Sequence, residues 1–129
     1  MEKKRRDYAD IAPAGPNYVR AIRAGDWLFI SGCTARGTDA QGGQPVEQLK
    51  ATLERIVRIV VAEGGAPEDI VKFTTYVTSI SDWYPVSAEQ QAEFDRRFGG
   101  KNPTNTLVEI TALAQPGLDI EIEATALLA

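Results

Sequence analysis

Leu118-Asp119-Ile120-Glu121-Ile122-Glu123-Ala124-Thr125-Ala126-Leu127 alternates apolar and polar side chains almost without a break. A period of two is the mark of a β-strand with one face on a core. Leu118, Ile120, Ile122, Ala124 and Ala126 point one way, toward a layer of helices. Asp119, Glu121, Glu123 and Thr125 point the other way, and on the residues alone that face meets solvent.

Gln115-Pro116-Gly117 turns the chain into this strand, and Thr104 to Leu113 reads as the strand before it. Further upstream, Trp83, Val86, Gln90, Phe94 and Phe98 fall near one helical stripe. Ser81 or Asp82 is placed to cap that helix, Pro85 stands in its first turn, and Gly99-Gly100 ends it. Ile70 to Thr78, rich in β-branched and aromatic residues, reads as a strand. Pro45 opens another helix whose apolar face is Val46, Leu49, Leu53, Ile56, Val57 and Val60, and Gly64-Gly65 stops it. Gly32 to Gly43 is a loop. Tyr18 to Ala24 and Trp27 to Ser31 are two strands joined by the turn Gly25-Asp26.

The order is β-β-α-β-α-β-β. Five strands and two amphipathic helices predict an α+β domain over residues 1–129, with one mixed sheet and both helices on one face. The second face is mixed. Trp27 to Ile30 is apolar enough to be buried on both sides, and Leu107 shares a parity with Asn105 and Glu109. A half-apolar outer face predicts coverage by other subunits.

Composition narrows the chemistry. The 129 residues are 43% hydrophobic and 25% charged, with a net charge of −4. That balance argues against a nucleic-acid partner, which needs an excess of cations. The cluster Lys3 to Arg6 reads as a solvated terminus. No apolar segment reaches the ~20 residues of a membrane span, and no apolar run follows the charged Met1–Asp7 as a signal peptide requires, so the expected location is the cytoplasm. The chain has one cysteine and no histidine, which removes an intrachain disulfide, His-based triads and His-ligated zinc.

Five segments together resemble the Rid (reactive intermediate deaminase) family, also called the endoribonuclease L-PSP or translation-inhibitor family. Gly15-Pro16-Asn17-Tyr18-Val19-Arg20-Ala21 is similar to its Gly-Pro-Tyr-Ser-Gln-Ala segment with one residue inserted. Ala24 to Gly32 is similar to its Ala-Gly-x-hydrophobic-Ser-Gly hairpin, and Ala66 to Lys72 to its helix-to-strand turn. Asn102-Pro103-Thr104-Asn105-Thr106 sits where the family has Pro-Ala-Arg-Ser/Thr, and Ile120 to Ala124 resembles the terminal Val/Ile-Glu-Ile-Glu-Ala.

The resemblance implies a chorismate-mutase-like fold, a homotrimer around a central barrel, and ligand pockets between subunits. It implies hydrolysis of 2-enamine and 2-imine acids to keto acids and ammonia, with no metal or organic cofactor and a small-molecule ligand as partner. Glu121 matches the pocket glutamate that handles the attacking water, and Asn105 stands where the substrate-gripping arginine belongs. An uncharged amide there loses a charge-assisted pair, about 1.5–3 kcal/mol of binding, and Lys101, Arg20 or Arg23 are the neighbouring cations that could replace it. Tyr18, Ser31, Gly32, Cys33, Thr106 and Trp83 complete the expected substrate-binding set. Cys33 on its own reads as a small buried thiol, with nothing nearby in sequence to lower its pKa. The expected function is therefore an imine or enamine hydrolase. The alternative is a metabolite-binding protein of the same fold without catalysis. Ribonuclease activity, the older family label, fits poorly with an acidic chain lacking histidine.

Overall fold

The computed structural model describes all residues from Met1 to Ala129. Six strands form one mixed sheet: β1 (Lys4–Arg6), β2 (Ala21–Ala24), β3 (Trp27–Cys33), β4 (Ile70–Val77), β5 (Thr104–Glu109) and β6 (Ile120–Leu127). Their spatial order is β1-β2-β3-β6-β4-β5; β4 and β5 run parallel and all other neighbours antiparallel. Helix α1 (Pro45–Ala62) packs on β6 and β3, and α2 (Ala88–Phe98) packs beside α1. This is the α+β architecture expected, with both helices on one face.

The alternation in β6 does what its pattern dictates. Ile120, Ile122, Ala124 and Ala126 are buried with Leu53, Ile56, Ile59 and Val60 of α1 in the main core. The α1 stripe is interrupted by Gln48, which is fully buried. Its Nε2 donates to Asp119 Oδ2 at 3.0 Å and to the Gly117 carbonyl at 3.1 Å, and its Oε1 accepts from the Asp119 amide at 2.8 Å. One amide therefore fixes the chain as it enters β6. Gly64, at φ 90°, ends α1 in a left-handed turn; its amide bonds the Val61 carbonyl, and that of Gly65 bonds the Val60 carbonyl.

Several boundaries move. Lys4–Arg6, expected as a loose terminus, pairs with β2 as an exposed edge strand. The strand expected from Tyr18 begins at Ala21, because Gly15-Pro16-Asn17 loops outward first. The strand expected to reach Leu113 ends at Glu109. Helix α2 does not start at Ser81 or Asp82, which lie in a 3-10 turn. Ser87 caps it instead: its Oγ accepts from the Gln90 amide at 3.1 Å while the Gln90 side chain returns to the Ser87 amide. In β3, Leu28 and Ile30 are buried, but Trp27 and Phe29 on the other face are 42% and 48% exposed in the single chain. No helix is long and apolar enough to cross a membrane.

Candidate functional site

The site grows from a defect in strand pairing. Ile30 pairs with Ala124, and the next partners are Cys33 and Ile122, so β3 fits three steps against two of β6. The extra residue makes a bulge at Ser31-Gly32. It lies beside Glu121, which leaves β6 on the face away from the helices. A Cβ on Gly32 would stand 2.6 Å from Glu121 Oε2 and 2.7 Å from its Cδ. Only glycine lets this carboxylate lie against the β3 backbone. Gly15 does the same for Tyr18, whose ring edge a Cβ there would strike.

Glu121, Tyr18, Gly32 and Cys33 converge on one small pocket of about 50 Å³. Tyr18, 44% exposed, forms its outer wall and also borders an open groove of about 800 Å³ shared with Ser31, Phe29 and Glu123. Ser31 is committed structurally, its Oγ donating to the Val19 carbonyl at 2.8 Å. Burial raises the pKa of Glu121, nearby Arg20 opposes that shift, and Glu123 adds to it. Burial likewise raises the pKa of Cys33, with Arg20 pulling the other way.

Arg20 is 3% exposed and organises this corner. Its Nη1 donates to the carbonyls of Ser31 at 3.0 Å and Gly32 at 2.7 Å; its Nη2 reaches Pro13 O at 3.3 Å and Tyr18 OH at 3.4 Å. Arg36 and Arg55 line the same cavity. Sequence reading missed both, since one lies in a loop and the other on the flank of the α1 stripe. Of the cations named from sequence, Lys101 pairs with Glu68 and Arg23 with Glu63, leaving Arg20 as the one beside Glu121.

Asn105 and Trp83 are elsewhere in the chain. The β4–β5 register pairs Asn105 with Phe73, which puts Asn105 on the helix-bearing face, opposite to Glu121. Its Oδ1 accepts from Thr75 Oγ1 at 2.8 Å. Asn105 and Trp83 line a separate, mainly apolar cavity of about 380 Å³ with Phe94, Gln90 and Leu107. Thr106 is exposed on the same face as Glu123, in register with Thr74. The expected residues thus form two groups on one chain, one at the β3–β6 bulge and one, Asn105 with Trp83, beneath β5, while Thr106 stands apart on the opposite face of β5.

Known proteins share this arrangement of elements. The family model described as Endoribonuclease L-PSP matches residues 9–128. A RutC family protein of Pyrococcus horikoshii is 35% identical over 117 residues, covering 88% of each chain. An Escherichia coli protein named as a candidate reactive intermediate deaminase, TdcF, is 31% identical over 116 residues, covering 87% of this chain and 86% of its own. Among solved structures, a YjgF family member from Mycobacterium tuberculosis superposes with a TM-score of 0.72 at 34% identity over 88% of both chains. A protein from Thermotoga maritima, described as a candidate endoribonuclease, reaches 0.81 at 28% identity over 98% of both. With matches of this length and a fold to go with them, the chain belongs to the Rid, or endoribonuclease L-PSP, family.

Proposed function

We propose that this protein is a cofactor-independent hydrolase of imines or enamines, with Glu121 as the group that moves the proton. The observation that carries the reading is the seating of Glu121: half-buried in a small pocket, pressed on Gly32, with its pKa raised. A carboxyl group poised nearer neutrality can both take and give a proton. The ionised carboxylate removes a proton from water as the oxygen bonds to the C=N carbon and the π electrons pass to nitrogen. The same proton then goes to the departing amine. Glu121 then carries the carbinol O–H proton to the same nitrogen as the C=O bond forms and the C–N bond breaks, and the sum is imine plus water giving ketone plus ammonia. Tyr18 stands over the mouth, where its ring and hydroxyl can orient a planar substrate. The name carried by the Escherichia coli relative supports the same class of reaction.

The two separated groups support an assembly in which one copy brings Asn105, Thr106 and Trp83 to another's Glu121 and Tyr18. A homotrimer is the form the family resemblance implies, and the exposed Trp27 and Phe29 face supports it. We infer a single domain over the whole chain, working in the cytoplasm. The experiment is direct: generate enamines in situ with the purified protein and follow keto acid and ammonia. Turnover should exceed buffer, and Glu121→Gln should lower it about 100-fold or more. No acceleration across a broad substrate panel would overturn the proposal.

One observation favours a second reading. Asn105 is uncharged and already bonded to Thr75, so the β5 end offers no cation for a carboxylate. A binding protein without turnover would show ligand-induced rises in Tm and no keto-acid release.

A further inference from the structure

Three guanidinium groups, Arg20, Arg36 and Arg55, line the Glu121 cavity, and none forms an ion pair with any carboxylate. Arg20 is buried, while Arg36 and Arg55 are partly exposed at the rim, and a buried cation is ordinarily paired, because an uncompensated charge away from water is costly. Here the visible partners are neutral. Arg36 Nη2 donates to the Pro13 carbonyl at 2.7 Å and Arg55 Nη1 to the Thr34 carbonyl at 2.7 Å. Arg20 has its Nη atoms on carbonyls, the Tyr18 hydroxyl and the Cys33 sulfur, while its buried Nε has no partner at all. Burial lowers the pKa of Arg55, the Cys33 side resists this, and repulsion from Arg20 and Arg36 adds to it. Even with Glu121 ionised, the cavity keeps two surplus positive charges, three cations against one anion.

We propose that Arg20, Arg36 and Arg55 form an oxyanion-binding subsite that takes the carboxylate of a small organic acid on the Glu121 side of the cleft. The inference deepens the hydrolase reading and rests on it for the role of Glu121. A volume of about 50 Å³ admits a group of one or two water sizes, which fits a carboxylate and not a whole metabolite. Arginine forks suit a planar carboxylate, where paired N–H donors meet paired oxygens. With the acid group held here, the carbon next to it falls within the reach of Glu121. The uncharged Asn105 end is then left for the rest of the ligand, beside an apolar cavity. The loss of charge at position 105 is answered at another place in the fold.

The test separates binding from turnover by using the Glu121→Gln protein as background. Calorimetric titration with 2-oxobutyrate should show binding, and 2-oxobutyramide, the same shape without the charge, should bind at least tenfold more weakly. Arg36→Gln and Arg55→Gln should each weaken 2-oxobutyrate about tenfold or more, the loss expected for a charge-assisted pair. Arg55→Lys should fall between, since it keeps the charge but not the fork. Arg20 is left intact because it also ties down the local backbone; melting curves on the other variants confirm folding. Equal affinity for acid and amide, no binding of the acid, or unchanged affinity in both Gln variants would overturn the inference. So would an affinity that falls on Asn105→Asp and not on Arg36→Gln or Arg55→Gln. Inorganic phosphate binding more tightly than 2-oxobutyrate would also overturn it, as the subsite would then suit a tetrahedral anion. Absence of turnover in the native protein, with these binding results in hand, sinks only the hydrolase reading.

Discussion

A single hydrogen atom at Gly32 decides where the Glu121 carboxylate sits. The clash a methyl group would make is with one side chain and no backbone, from Cγ of Glu121 outward, so the fold should survive while that side chain swings away. Gly32→Ala should therefore leave Tm within about 3 °C and lower turnover on the order of 100-fold, the usual penalty for misplacing a reacting group by about 1 Å. Glu121 itself has the opposite profile. A carboxyl whose folded-state pKa lies above its unfolded value stabilises the fold below the unfolded pKa and loses that contribution as pH rises through the folded pKa. At neutral pH the ionised group thus costs stability. Glu121→Gln should raise Tm at pH 7 by a few degrees, and the difference should vanish below about pH 4 in melting curves taken across pH. Glu121 and Gly32 were legible in the sequence because the Ser-Gly and Ile-Glu-Ile-Glu pieces are local. Arg36 and Arg55 were not. They meet only after α1 docks on the sheet, and neither belongs to a pattern of its own.

Helix α2 is polar over most of its surface; Phe98 anchors it in the core, edge-on to Phe73, and a charged cluster sits within it. Glu93 is 6% exposed and receives hydrogen bonds from both Arg96 and Arg97. Burial alone would raise its pKa, but the two guanidinium groups outweigh that and hold it below the usual carboxylate range. Such a group adds stability above its unfolded pKa and gives it up as pH falls through the folded one. Glu93→Gln should destabilise the fold at pH 7 by on the order of 2 kcal/mol, and denaturant melts should show the deficit shrinking under acid. At the other end of the helix, Ser87→Ala should cost about 1 kcal/mol by loss of the cap. The helix start was misread from sequence because Ser81, Asp82 and Pro85 imitate a capped first turn. The true cap, Ser87 with Gln90, has the same chemistry a few residues later. Strands were easier: strict alternation in β6 allowed one register. The short β1 has no apolar residue to announce it.

Across the whole molecule the helix-bearing face is closed and the opposite face is not. Trp27 and Phe29 stack there, 6.4 Å between ring centroids, next to the polar row Thr125, Glu123 and Glu121. In an assembly built through this face, Phe29→Asp should release free subunits of 14.0 kDa, read by sedimentation. Activity should fall with it, because Asn105 and Glu121 lie on opposite faces of one chain. The mixed pattern of β3 and β5 made the half-apolar character of the second face legible in the sequence, and Trp27 and Phe29 stand exposed on it. Where the two groups of site residues would end up could not be read there, since parity fixes a face only once the strand order is known.

The strand Lys4–Arg6 gives the sheet an exposed rim of three consecutive cations, of which Arg6 also pairs with Glu63. An open ladder ordinarily invites another ladder to zip onto it, and rows of like charge keep such partners off. In an assembly formed over the flat sides, this rim would set copies against each other end to end. Association is thereby steered toward a finite cluster and away from a growing fibre.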